Sequence, residues 1–131
     1  MKILYFDCFS GISGDMVLGA LIDSGLKMDV LRRELAKLGL KGYSITAKKV
    51  MRGGLAGTKF DVLLDTKIKS RHSKSLKEIL KLIDNSALEP RVKKISADIF
   101  HNLAKAETRV HAGPGEDLHF HELGDMDSII D

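Results

Sequence analysis

Apolar residues follow several spacings along this chain, and each spacing predicts an element of secondary structure. Four consecutive apolar residues, 3–6, are typical of a strand buried on both faces. Asp7 ends that run, and the glycine- and serine-rich segment 10–14 predicts a tight turn into a helix. That helix is mostly apolar, and we expect it to end near Gly25.

A second helix is predicted directly after the first. Asp29 is expected to cap its N-terminus, and Gly39 to end it. Its leucines Leu31, Leu35 and Leu38 recur at helical spacing, which gives the helix one apolar face. We expect the two helices to pack together as a hairpin.

Apolar and polar positions alternate in two segments of the middle of the chain, 43–47 and 60–64. This alternation is typical of strands with one buried face. Three glycines, Gly53, Gly54 and Gly57, separate the two segments. The pattern predicts a β-hairpin.

Two further helices are predicted after the hairpin. Ser75 and Glu78 have the spacing of a capping box, and Pro90 suits the first turn of a longer helix that ends before the Gly-Pro-Gly segment 113–115. The apolar stripe expected to face the core in this longer helix is Val92, Ile95, Ile99, Leu103, Ala106 and Val110. The order β-α-α-β-β-α-α, followed by a motif-rich tail, predicts a mixed α/β (α+β) fold with a small sheet of about three strands covered by helices.

Length and composition limit the class of protein. With 131 residues, of which 44% are hydrophobic, the chain is expected to form one domain around one core. It contains no apolar run of the ~20 residues that a membrane span needs, so a soluble, cytoplasmic protein without a membrane partner is expected. The single cysteine, Cys8, excludes an internal disulfide and a cysteine-rich zinc module. Cys8 could form a reactive thiolate beside a helix N-terminus, but a small buried side chain is the preferred interpretation.

Charge is distributed unevenly around the net value of +3. Residues 48–81 contain ten basic and three acidic side chains, whereas residues 111–131 contain six acidic side chains and no lysine or arginine. The basic part suits a phosphate-bearing ligand, or serves only to keep the surface soluble, and the acidic tail suits a cation. Only 5% of the residues are aromatic and none is tryptophan, so nucleic-acid binding is not expected.

The first candidate site is the segment 7–16, with the sequence DCFSGISGDM. Its predicted position between a strand and a helix N-terminus favours binding of an anion such as phosphate. The candidate phosphate-binding residues are Ser10, Gly11, Ser13 and Gly14. Asp7 and Asp15 could hold a divalent ion that bridges to that phosphate. The alternative is a purely structural turn in which Asp15 stabilises the helix dipole.

The second candidate site is the segment 119–127, with the sequence HFHELGDMD. In an extended chain His119 and His121 point to the same side, which makes half of a metal site. Glu122 and Asp127 supply carboxylates, the latter from a short helix that Asp125 could cap. Imidazole and carboxylate together suit nickel, zinc, manganese or iron, and the spacing does not choose among these ions.

The other three histidines are His72, His101 and His111. Arg71 and His72 precede the third helix and could bind phosphate, although an exposed loop pair is equally consistent. His111 could join the second candidate site or act as a C-terminal helix cap. His101 lies off the predicted apolar stripe, and no role is assigned to it.

Both candidate segments, together with residues 99–107 and 127–129, resemble the nickel insertion protein family of the LarC type. The resemblance covers essentially the whole chain and implies a lyase-class nickel chelatase. Such proteins insert nickel into pyridinium-3,5-bisthiocarboxylic acid mononucleotide, which yields the nickel-pincer nucleotide of lactate racemase and related enzymes. The resemblance also implies CTP as co-substrate and manganese or magnesium as a further ion. The chain departs from the family pattern at residues 73–75, at Ala112 and at 125–126.

The resemblance further implies that residues 1–131 are the N-terminal domain of a longer protein, cut within a C-terminal helix and incomplete for activity. A C-terminal region would then be a partner of this domain, and the sequence leaves the oligomeric state open. Two other functions use the same residues. One is a metal-dependent phosphohydrolase or nucleotidyltransferase, and the other is a nickel-binding module without enzymatic activity.

Overall fold

The computed structural model describes residues 3–65, 74–111 and 124–131, which form five α-helices and one antiparallel sheet of two strands. The helices are α1 (Gly14–Asp23), α2 (Met28–Ala36), α3 (Leu76–Asn85), α4 (Pro90–His111) and α5 (Met126–Ile130). The strands are β1 (Tyr43–Arg52) and β2 (Leu55–Leu64), and both lie between α2 and α3 in the chain. The expected mixed α/β class is confirmed.

The predicted β-hairpin is confirmed. Gly53 and Gly54 join β1 to β2 with φ values of 55° and 80°, a left-handed conformation that glycine adopts without strain. In the antiparallel register Ala47 lies opposite Phe60, and Ile45 lies opposite Val62. Ile45 and Phe60 are buried, so the alternating apolar positions form the inner face of the hairpin.

A first hydrophobic cluster lies on this inner face of the hairpin. Its buried members are Ile45, Phe60 and Ile130, and α1 and α2 supply partly buried side chains that include Leu18, Ile22, Leu31 and Leu35. Helix α1 approaches β2 so closely that Gly19 packs against the backbone carbonyl of Thr58. At the end of α1, Asp23 accepts hydrogen bonds from Thr58 (2.6 Å) and from Lys49.

A second hydrophobic cluster lies between α3 and α4. Its buried members are Ile79, Ile83, Phe100, Ala104 and Ile129. The predicted capping box at the start of α3 is confirmed, because the Glu78 carboxylate accepts the N–H of Ser75 at 2.8 Å and the Ser75 hydroxyl accepts the N–H of Glu78 at 3.4 Å.

Helix α5 connects the two clusters. Its neighbouring residues Ile129 and Ile130 are both buried, the first in the cluster between α3 and α4 and the second in the hairpin cluster. Two successive isoleucines on a five-residue helix therefore join the two parts of the core. This docking fixes the position of the acidic residues on the same helix.

The predicted strand at residues 3–6 is wrong. The segment has no regular secondary structure, and Ile3 and Tyr5 are 80% and 82% exposed. A strand buried on both faces needs hydrogen-bonding neighbours, and within the described residues the only sheet consists of β1 and β2. The sheet accordingly has two strands there, and the element order begins with α1.

Two details of the predicted helices are also wrong. Lys27, not Asp29, is the N-cap of α2, and Asp29 lies in the first turn, where it accepts a hydrogen bond from Arg32 at 3.1 Å. In α4 the predicted core stripe is exposed at Val92, Ile95 and Ile99, by 42–52%. The face of α4 that α3 covers is instead the one with the buried Phe100 and Ala104, because tertiary packing selects among apolar positions.

Candidate metal and nucleotide site

The first candidate segment is an exposed turn that leads into α1. The N–H of Gly11 donates to the Cys8 carbonyl at 2.9 Å, and Gly11 has a φ of 85°. The predicted turn and the helix after it are confirmed, but the expected strand before the turn is absent from the described chain. Asp7 and Ser10 are exposed, as is Cys8, so the preferred interpretation of a buried cysteine is wrong.

Two polar side chains, Ser13 and Asp15, lie at the N-terminus of helix α1. Ser13 is the N-cap, but its hydroxyl donates to the carboxylate of Asp15 instead of capping a backbone N–H. Asp15 lies in the first turn and is half-buried. A carboxylate at this position is stabilised by the partial positive charge of the helix N-terminus.

Helix α5 is followed by a residue that contacts the start of α1. A Cβ atom added to Gly14 would lie 2.5 Å from the Cβ atom of Asp131, so glycine is required for this close approach. The backbone N–H of Asp15 donates a hydrogen bond to the Asp131 carboxylate. The first and last parts of the chain therefore meet at the N-terminus of α1.

Three carboxylates influence one another at this junction. The pKa of Asp131 is raised to about 6, first because burial disfavours its charged form and then because Asp15 and Asp127 repel its charge. The hydrogen bond from the Asp15 N–H opposes this rise. The junction therefore has the oxygen ligands and the excess negative charge that suit a hard divalent cation.

Replacing Asp131 with asparagine is expected to change how stability depends on pH. A carboxyl whose pKa rises from 3.8 to about 6 on folding contributes stability below the lower value, and that contribution is lost as pH rises through the higher one. We expect D131N to be as stable as the wild type at about pH 4 and more stable than the wild type above about pH 6. Urea denaturation across this range measures the difference.

The control for this prediction is D125N, the same substitution at the N-cap of α5. The Asp125 side chain makes no capping hydrogen bond, and Asp125 is not among the groups that shift the pKa of Asp131. D125N is expected to follow the wild-type pH profile. If stability depended on pH in D131N as it does in the wild type, burial and the neighbouring carboxylates would not raise the pKa of Asp131.

The remaining predicted site residues lie outside the described residues: Arg71, His72, His119, His121 and Glu122. The described residues that follow them are bonded to each other, since the N–H of Lys74 donates to the carbonyl of Gly124 at 3.0 Å. Gly124 is buried. The first described residue after segment 66–73 and the first after segment 112–123 therefore lie side by side.

The described residues alone do not form a complete metal site. Within 3–65, 74–111 and 124–131, no three side chains of metal-binding type are arranged to hold one ion. Of the residues predicted for the second candidate site, only Asp127 lies within these ranges, in the first turn of α5. The prediction that His119, His121 and Glu122 bind a metal concerns residues outside these ranges.

Asp131 is the residue of this junction that sequence reasoning missed. Asp127 and Asp131 are four positions apart, so a helix over 126–130 places them on the same side. The four-residue spacing of Asp127 and Asp131 could have indicated from the sequence that the two carboxylates are neighbours. Their meeting with Asp15 depends on the docking of α5, which no local pattern shows.

The basic part of the chain is partly engaged within the fold. Lys49 donates to Asp23, and Lys59 donates to Asp61. These hydrogen bonds are the largest cause of the lowered pKa values of the two carboxyl groups. For these lysines the contacts favour the role of surface residues that stabilise the hairpin.

The chain matches known proteins over nearly its whole length. Residues 4–131 match the family model described as nickel insertion protein. A Geobacter sp. (strain M21) relative named for nickel insertion is 53% identical over 131 residues, which are all of this chain and 34% of that protein. The pyridinium-3,5-bisthiocarboxylic acid mononucleotide nickel insertion proteins of Geobacillus kaustophilus and Desulfitobacterium hafniense (strain Y51) are 44% and 47% identical, and this chain covers 34% and 32% of their lengths. No solved structure matches.

These matches place the chain in a class of proteins that handle a metal ion. The chain belongs to the nickel insertion protein family. It spans about a third of the length of the curated relatives that it matches. Within the described residues, no helix has both the length and the apolar character to cross a membrane.

Proposed function

We propose that this chain contributes to the insertion of nickel into pyridinium-3,5-bisthiocarboxylic acid mononucleotide, as a lyase-class nickel chelatase. The observation that carries the proposal is the family match over residues 4–131, together with the printed names of the relatives. Because those relatives are about three times as long, we assign to this chain the binding of the ions and of phosphate. A C-terminal region of the longer protein would complete the reaction.

The carboxylates of the junction are proposed to bind manganese or magnesium together with CTP. Asp15 and Asp127 offer hard oxygen ligands, and Asp131 adds a third carboxylate, whose pKa is raised by burial and then by the charges of the other two. Asp7 precedes the same turn. The residues proposed to contact the triphosphate are the exposed Ser10, Gly11 and Ser13, and the half-buried Gly14 at the start of α1.

A phosphate cannot approach this junction without a cation, because the carboxylates would repel it. The Asp131 carboxylate already accepts the N–H of Asp15 at the helix N-terminus. A divalent ion held there would offset this repulsion and would stabilise the charge that develops as the cytidylyl group passes to the mononucleotide and pyrophosphate leaves. The carboxylates are proposed to hold that ion and fix the orientation of the phosphates.

Nickel is the substrate ion, and we propose that His119, His121 and Glu122 bind it before transfer. Imidazole and carboxylate ligands bind nickel but are harder donors than sulfur. Two thiocarboxylate sulfur atoms of the substrate can therefore take the ion from these ligands without a redox step. Arg71 and His72 are proposed to bind phosphate, and the hydrogen bond between Lys74 and Gly124 supports a position close to the nickel ligands.

The proposal is tested by following nickel transfer to the mononucleotide by mass spectrometry. The chain is supplied with Ni²⁺, CTP, Mn²⁺ and the bisthiocarboxylate substrate, alone and mixed with the C-terminal two thirds of the Geobacillus kaustophilus relative. We expect nickel-containing product that requires both CTP and this chain. CTP turnover without any need for the substrate would instead indicate a phosphohydrolase or nucleotidyltransferase. Tight nickel binding without CTP binding would indicate a nickel-binding module.

A further inference from the structure

A groove between α3 and α4 is not used by the function proposed above. It has a volume of about 740 Å³, which is within the usual range for sites that bind small molecules. Helix α3 contributes Leu76, Lys77 and Leu80 to its walls. Helix α4 contributes His101, Ala104, Lys105, Thr108 and Arg109.

The spacing of the α4 residues shows that one face of the helix lines this groove. They follow one another at intervals of three, one, three and one positions, which is the repeat of a single helix face. Ala104 is buried at the base, and the hydroxyl of Thr108 donates to the Ala104 carbonyl at 2.8 Å. Because Ala104 and Thr108 have small side chains, the space between α3 and α4 is not filled.

The groove combines an apolar base with a basic rim. Leu76, Leu80 and Ala104 form the base. The exposed rim has Lys77 on the α3 side and Lys105 and Arg109 on the α4 side. None of the described residues that line the groove is acidic. The pKa of Asp98 is lowered first by its hydrogen bond from Lys94 (2.6 Å) and to a smaller extent by His101 and Lys105, which line the groove.

These features define the chemistry of a ligand. A flat apolar ring suits the leucine and alanine base, and separated anionic groups suit the basic side chains on two opposite walls. An arginine and two lysines provide five guanidinium and six ammonium N–H donors for such groups. A ligand with one anionic end would use only one wall.

We propose that the α3/α4 groove binds an aromatic mononucleotide that carries a phosphate at one end and a ring carboxylate or thiocarboxylate at the other. Resting on the proposed function, the occupant is the pyridinium mononucleotide that receives nickel. The ring lies on Leu76 and Leu80, and the two anionic ends meet Lys77 on one wall and Lys105 with Arg109 on the other. The groove and the carboxylate junction have no residue in common, and the negative charge of the junction suits a cation.

Calorimetric titration of this chain with nicotinic acid mononucleotide tests the groove directly. This probe has a pyridinium ring, one ring carboxylate and one phosphate, whereas cytidine monophosphate and inorganic phosphate lack the second anionic end. We expect the pyridinium probe to bind about tenfold more tightly than cytidine monophosphate, and inorganic phosphate to bind more weakly than both. Equal affinity for the two nucleotides would overturn the assignment to the pyridinium substrate.

Charge reversal on each wall locates the probe. K77E and R109E are each expected to weaken binding of nicotinic acid mononucleotide by about tenfold or more. The matched control is R33E, because Arg33 is an exposed arginine in the last turn of α2 and does not line the groove. Circular dichroism checks that all three variants are folded. Unchanged affinity in folded K77E and R109E would exclude this groove as the site.

The same variants separate the groove from the proposed function. Nickel transfer that is unaffected by R109E, in the assay described above, would overturn the groove and leave the proposed function intact. Binding of the probe that K77E and R109E abolish, in a protein that never transfers nickel, would overturn the proposed function. The groove would then remain as a mononucleotide site with a different substrate.

Discussion

Replacing Gly19 with alanine is expected to destabilise the fold by about 1–3 kcal/mol, the usual cost of overpacking a tight contact. A Cβ atom at this position would overlap the backbone carbonyl oxygen of Thr58 on β2. Backbone cannot move aside as a flexible side chain can, so α1 would have to shift away from the hairpin. In an unconstrained helix, replacing glycine with alanine normally stabilises the helix by about 0.5–1 kcal/mol. A loss of stability in G19A would therefore support the close contact with β2, and a gain would contradict it.

The matched control for this prediction is G57A. Gly57 lies on β2 close to Thr58, and a Cβ atom there would meet no other atom within 4 Å. Urea denaturation of the two variants should therefore show a large loss for G19A and little change for G57A. If G19A were as stable as G57A, α1 could not lie as close to β2 as the structure shows.

The double variant H119A/H121A is expected to bind nickel about 100-fold more weakly than the wild type. Removing two imidazole ligands leaves carboxylates as the principal donors, and carboxylates bind nickel more weakly than imidazole does. Isothermal calorimetry with Ni²⁺ measures the loss. Titration with Mn²⁺ should show a much smaller change, because we assign that ion to Asp15 and Asp127.

A histidine elsewhere in the chain provides the control for this pair. His101 is an exposed residue of α4 that lines the α3/α4 groove, and H101A is expected to bind nickel like the wild type. Wild-type nickel affinity in H119A/H121A would remove these two residues from the proposed site. Equal losses in H101A and in H119A/H121A would indicate non-specific binding to histidines.

Elements defined by a local signal could be predicted from the sequence. The turn glycines Gly53 and Gly54 and the alternation around them identified the hairpin. The capping box at Ser75 marked the start of α3, and Pro90 marked the start of α4. In each case the stabilising interaction lies within a few residues of the chain, so the sequence contains both partners.

Features that depend on distant partners could not be predicted in the same way. Residues 3–6 have the composition of a buried strand, but a strand also needs a neighbour to accept its hydrogen bonds. In α4 several faces are apolar, and only the position of α3 determines that Phe100 and Ala104 are buried. Cys8 is exposed for the same reason, because the preceding residues 3–6 do not form a buried strand.

The candidate site also combines parts that the sequence predicts and parts that depend on distant contacts. The sequence identified the two motif segments, and the structure brings Asp15 from the first to within electrostatic range of Asp131 beside the second. Asp131 itself was missed because its role depends on the docking of α5 through Ile129 and Ile130. The position of His119 and His121 in the same cleft as the Asp127 carboxylate remains a prediction.

We propose that the two ends of the chain share one cleft at the start of α1, in which histidines bind nickel and carboxylates bind manganese or magnesium. Diffraction from crystals grown with Ni²⁺ and measured at the nickel absorption edge locates the bound ion directly. We expect a nickel peak coordinated by His119 and His121, in the same cleft as the carboxylates of Asp15 and Asp127. A nickel ion held by these histidines on a surface remote from Asp15 would contradict the account.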